Sequence, residues 1–109
     1  MDNLNNLGAF KKNQPELYEF DQLLDNSNYL ATILKGDTID ICIDDGLHTS
    51  DSILRTMKSV VPFLADNFVY FIEDNKDIHK IIKSIYPTLM INHEGILTII
   101  SKKVSSTAI

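Results

Sequence analysis

The residues best suited to chemistry are two acidic pairs. Asp44-Asp45 opens the stretch Asp-Asp-Gly-Leu-His that ends at His48, and Glu73-Asp74 follows later. Each pair comes directly after a short apolar run, Ile39–Ile43 and Phe68–Ile72. A third acid, in Asp21-Gln22, follows Leu17–Phe20. If these runs are strands of an open parallel sheet, a site forms beyond their carboxyl ends. With the second and third strands as neighbours, Asp44, Asp45, Glu73 and Asp74 crowd into one crevice. Crowded carboxylates repel one another unless a cation sits among them, and an oxygen-rich set suits Mg²⁺, Mn²⁺ or Ca²⁺. His48, on the turn above the same crevice, has the chemistry of a further ligand or of a general base near neutral pH. Acids at strand ends also cap helices or simply face water. His79 and His93 are expected to be ordinary surface histidines. Cys42, Tyr70 and Phe71 are expected to be core residues.

Positioning those groups falls to a regular alternation of elements. Leu17–Phe20 alternates like a short strand. A helix is predicted over Ser27–Leu34, capped by Asn26 or Ser27 and stopped at Gly36. Ile39–Ile43 is a β-branched strand. The next helix, Asp51–Leu64, carries an apolar stripe of Ile53, Leu54, Met57, Val60, Val61 and Leu64, with Thr49 or Ser50 as cap and Pro62 in its last turn. Phe68–Ile72 reads as a central strand buried on both faces. A third helix over Lys76–Tyr86 precedes two strands, Thr88–Asn92 and Ile96–Ser101, joined at His93-Glu94-Gly95. The expected class is therefore α/β: a partial Rossmann-like parallel sheet with flanking helices, closed by a C-terminal antiparallel β-hairpin on one edge. Residues 1–16 are expected to be a ragged start, with one short helix ending near Lys12. The domain spans 17–101, and a loose tail 102–109.

Composition removes several classes of function. Fifteen acidic residues against ten basic give a formal charge of −5, which argues against a protein that tracks nucleic-acid phosphates. One cysteine permits neither an internal disulfide nor a multi-cysteine zinc site. The longest apolar run falls far short of the ~20 residues of a membrane span. No apolar signal core opens the chain, so a cytoplasmic setting is expected. None of the four glycines forms a GxG pair, so the glycine-rich loop of a nucleotide site is not encoded.

Over Ile39–Asn75 the chain resembles the class I S-adenosylmethionine-dependent methyltransferases. The nearest branch is the metal-dependent sugar O-methyltransferases, with the macrocin-type and macrolide-sugar enzymes and the cephalosporin hydroxylase-like proteins. The resemblance rests on Asp44-Asp45-Gly46-Leu47-His48, the helix after it, and a strand ending in Glu73-Asp74. Tyr18–Gln22 (YEFDQ) is similar to the family's preceding strand. The resemblance implies that Asp45, Glu73 and Asp74 hold Mg²⁺ or Mn²⁺, which binds two neighbouring hydroxyls of a small-molecule or glycan acceptor. It makes His48 the base for the hydroxyl that attacks the methyl donor, S-adenosylmethionine. It places Asp21 at the adenine amino group with Gln22 beside it, and Asp44 against the cofactor or in support of the turn.

The family's first two strands, with the glycine-rich loop, have no counterpart before Leu17. The chain thus resembles the C-terminal half of such a domain. The expectation is that it self-associates or takes a partner that supplies the missing half, and an apolar sheet edge is expected where those strands would lie. The other readings are a non-catalytic metal-binding half-domain or interaction module, and a phospho-receiver. A receiver has its acid pair after the first strand and a lysine at the end of a later one, and this chain fits neither. Ala65-Asp66-Asn67 stands where the family has Pro-Gly-Gly, and Asn67 is expected in the left-handed turn position.

Overall fold

The computed structural model describes residues 16–102. The expected N-terminal helix near Lys12, the ragged start and nearly all of the tail lie outside the described residues. The elements run α1 (Ser27–Leu34), β1 (Ile39–Asp44), α2 (Ser50–Val60), a 3₁₀ turn (Val61–Phe63), β2 (Leu64–Ile72), α3 (Ile78–Ile85), β3 (Leu89–Glu94) and β4 (Leu97–Lys102). The fold is α/β. Its four-stranded sheet has the order β1-β2-β4-β3, with β1 parallel to β2 and both other pairs antiparallel.

The sheet is mixed, as a parallel pair closed by an antiparallel hairpin requires, and both strands of the hairpin join it on the β2 side. β4 turns back inside and pairs with β2, leaving β3 outermost. Composition explains this choice. β4 brings Leu97, Ile99 and Ile100 to a central position, whereas the second half of β3 is Asn92, His93 and Glu94, which suits an edge. The turn itself is tighter than expected. Glu94 still pairs with Leu97, so Gly95-Ile96 alone make the loop, and Gly95 has φ 58°.

One face of the sheet carries the core. Phe68, Tyr70 and Ile72 of β2 and Ile100 of β4 pack with Ile53, Met57 and Val60 of α2 and Ile78 and Ile82 of α3 in a single buried cluster. The stripe predicted on α2 is thus the one that is buried. Thr49 caps α2 through its hydroxyl, which accepts from the Ser52 N–H at 3.1 Å. Pro62 ends the α-helix earlier than predicted, at Val60, and turns the chain into a 3₁₀ segment. β2 then begins at Leu64 and contains an irregularity: Ile39 pairs with Leu64 but Ile41 with Val69. The residues between Leu64 and Phe68 absorb this slip within extended backbone. Asn67 does not take the left-handed position; Lys35, His48 and Asp74 are the described non-glycine residues that do.

Leu17–Phe20 is not a strand. Leu17 is 78% exposed, and Tyr18 packs edge-on against Tyr29 of α1 instead of pairing with β1. The alternation was present without a hydrogen-bonding partner to use it. His79 and His93, expected to be ordinary surface histidines, stack with ring centroids 3.7 Å apart and tie α3 to β3.

Burial pushes the Cys42 thiol up from 9.0 to about 11. The unfolded thiol therefore ionises first, so this group lowers stability as pH rises above 9. At pH 8, alkylation of native Cys42 is expected to be about 100-fold slower than in urea, from the thiolate fraction alone. Mass-spectrometric labelling kinetics check this, and equal rates would place the thiol in water.

Candidate metal centre

The site is built where β1 and β2 end side by side. Asp44 pairs with Ile72, and the Glu73 N–H donates to the Asp44 carbonyl at 3.0 Å, carrying the ladder one residue further. Both acid pairs thus leave the sheet at the same level, as the strand-end argument requires.

Asp44 turns inward. It is 5% exposed, and its carboxylate accepts from Gln22 Nε2 at 3.0 Å on each oxygen and from the Gly46 N–H at 3.1 Å. The same Nε2 donates to the Thr56 hydroxyl at 2.8 Å, and Gln22 Oε1 accepts from the Leu47 N–H at 2.8 Å. The Gln22 amide thereby clamps the strand end, the turn and α2 together. The clamp also explains Gly46: a Cβ there would overlap the Gln22 amide. Of the two roles open to Asp44, the geometry supports that of holding the turn. Gln22 has both polar atoms engaged within the fold.

Asp45, His48 and Asp74 point the other way. One potential ligand atom from each lies within 4.8 Å of the others, forming the one such group among the described residues. Opposite ligands of a hard divalent cation are about 4–5 Å apart, so the three atoms fit around one ion. His48 Nδ1 lies 3.3 Å from the Glu73 carbonyl. With that nitrogen donating, the lone pair is on Nε2, 3.7 Å from Asp74 Oδ2. A lone pair and a carboxylate facing each other form a cation-binding arrangement, and the carbonyl fixes the ring as an outer hydrogen bond does for a metal-bound histidine.

The predicted metal set was Asp45, Glu73 and Asp74. The structure brings Asp45 and Asp74 together with His48, which the sequence reading offered as ligand or base, and leaves the Glu73 side chain out of the group; the Glu73 carbonyl instead faces the His48 ring. Backbone conformation is the cause. His48 (φ 65°) and Asp74 (φ 61°) both occupy the left-handed region, which swings their side chains to a common point. That conformation is costly outside glycine and clusters at functional sites.

Asp21 sits apart from this group. Its carboxylate accepts from the Leu23 N–H at 2.9 Å, and it borders an open cleft of about 910 Å³ shared with Gln22, Tyr29, Gly46 and Leu47. Two supporting residues escaped the sequence reading. Thr56 lies on α2 as a link in the Gln22 clamp. Asn75 donates to the His48 carbonyl at 2.9 Å and accepts from the Ile78 N–H at 3.0 Å, tying the two loops of the site to the start of α3. An Asn just before a helix is a visible signal for the second bond, but nothing local points to the first.

No helix among the described residues is long and apolar enough to cross a membrane. Comparison with family models, with curated proteins and with solved structures finds no match to this chain.

Proposed function

We propose that the chain is a divalent-cation-binding unit of an S-adenosylmethionine-dependent O-methyltransferase, acting on a small-molecule or glycan hydroxyl in the cytoplasm. The observation that carries the reading is the convergence of Asp45, His48 and Asp74 at the carboxyl ends of a parallel strand pair. Together with the resemblance of Asp44–His48 and Glu73-Asp74, it gives an oxygen-rich cradle for Mg²⁺ or Mn²⁺. Such an ion, when bound, makes a ligated hydroxyl easier to deprotonate. Asp45 and Asp74 supply charge. His48 either ligates or takes the hydroxyl proton at Nε2, its ring held by the Glu73 carbonyl. Gln22, Asp44 and Gly46 shape the turn that presents Asp45 and His48. The cleft beside Asp21 leaves room for the methyl donor, and a partner or second copy supplies the rest of that pocket.

A second reading, a metal-binding half-domain without catalysis, is favoured by one observation. The Gln22 amide is fully engaged within the fold, and the Asp21 carboxylate already accepts the Leu23 N–H. Together with Asp44, whose carboxylate accepts from Gln22 and the Gly46 N–H, all three residues given to the cofactor by resemblance thus have partners within the fold. Calorimetric titration of S-adenosylmethionine, with Mg²⁺ and again with chelator, separates the two. Saturable binding at micromolar levels is expected for the enzyme; heat from Mg²⁺ titrated alone and none from the methyl donor supports the half-domain.

A further inference from the structure

The two borders of the sheet differ. β3, at one border, ends in Asn92, His93 and Glu94, with Met90 on the same strand 38% exposed. Polar and charged residues of this kind keep an edge from pairing with other chains. β1, at the other border, has no strand on its outer side among the described residues. Its Ile41 and Ile43 are 65% and 62% exposed, while Val69 and Phe71, their neighbours on β2, are half-buried. The exposure is thus concentrated at the edge strand rather than spread over the sheet face. A groove of about 620 Å³ follows that edge, with Phe20, Leu30, Cys42 and Val60 among its lining. Asp37, Asp40 and Asp45 stand exposed along the same border.

From this geometry we infer that the open edge of β1 is a strand-acceptor site. Its occupant is an extended segment of a different protein in which apolar residues alternate with Lys or Arg. Main-chain hydrogen bonds to the outer N–H and C=O groups of β1, which pair with no described strand, supply the binding. Side chains at alternate positions supply the choice of partner. Apolar residues of the added strand lie against Ile41 and Ile43, and a basic residue faces Asp40. A second copy is the weaker occupant, because it brings its own exposed Asp37, Asp40 and Asp45 to the same border and pairing two copies gathers like charges along the seam. The net charge of −5 on each copy adds to that repulsion. The inference rests on the sheet edge and not on the metal chemistry, so its failure would leave the cation site as it stands.

The test uses two blocked seven-residue peptides, one alternating Lys with Val and one alternating Glu with Val. Amide hydrogen exchange of the full chain is followed by NMR. The Lys peptide is expected to slow exchange in β1 by about tenfold or more while leaving β3 unchanged. Asp40→Lys, at an exposed position, should keep a dispersed native spectrum and reverse the preference toward the Glu peptide. Ile41→Lys should abolish protection by either peptide. Three results would overturn the proposal: protection that maps away from β1, a preference unchanged by Asp40→Lys, or a free chain that already sediments as a dimer with its β1 amides protected.

Discussion

Gln22→Ala is expected to destabilise the fold by about 3 kcal/mol, because it leaves a buried carboxylate with little support. The Gln22 amide gives Asp44 two of its three side-chain contacts, holds the Thr56 hydroxyl, and accepts from the Leu47 N–H. After truncation only the Gly46 N–H remains on Asp44. The Asp44 carboxylate is 5% exposed, so any replacement for the lost donors is water admitted from the cleft that Gln22 borders. The urea midpoint should fall by roughly 2 M for a domain of this size. A double-mutant cycle with Asp44→Asn makes the test specific. Without the full charge on residue 44, loss of the Gln22 amide should cost far less, so the coupling should be about 1–2 kcal/mol. Additive losses would show that the clamp acts through packing alone.

The second large effect concerns the cation. Asp45→Asn and Asp74→Asn are each expected to weaken Mn²⁺ binding by about 100-fold, each removing one charged ligand atom. Asn is the informative choice at 74 because it tolerates the left-handed backbone found there, so a loss reports on the ligand rather than on the loop. His48→Ala should weaken Mn²⁺ more than Mg²⁺, since imidazole suits the softer ion. Glu73→Gln should change affinity by less than about threefold, because its side chain stands outside the group and its carbonyl survives the substitution. Calorimetric titration with MnCl₂ and MgCl₂ reads all four. Equal losses from Glu73→Gln and Asp74→Asn would place the ion elsewhere and restore the set expected from the motif.

The contrast between Glu73 and His48 marks how far the sequence carries. The strand ends were legible because apolar β-branched runs give way abruptly to Asp44-Asp45 and Glu73-Asp74. The helices were legible because Ile53, Met57 and Val60, and likewise Ile78 and Ile82, recur at helical spacing. Which side chains converge depends instead on single backbone torsions at His48 and Asp74; both types enter the left-handed region more often than most non-glycine residues, but nothing in the local sequence says that these two do. Strand pairing was hidden for a related reason. Leu17–Phe20 and β4 both alternate or carry apolar residues, but local pattern does not say whether a partner edge is available. For β4 it was, beside β2; for Leu17–Phe20 the chain packs by Tyr18 on Tyr29.

The insertion of β4 between β2 and β3 sets the order in which this domain can form during synthesis. Of the four described strands, the one that completes the centre of the sheet is translated last. While residues up to the end of α3 are outside the ribosome, β2 has β1 on one side and no other described strand on the other, and Tyr70 and Ile72 lack their β4 partners Ile100 and Thr98. The β3–β4 hairpin closes locally and quickly, but its docking on β2 bridges a long stretch of chain. The nascent domain therefore stays open at its middle until β4 emerges, and an interrupted translation would release a chain with an unsealed apolar seam for chaperones to hold.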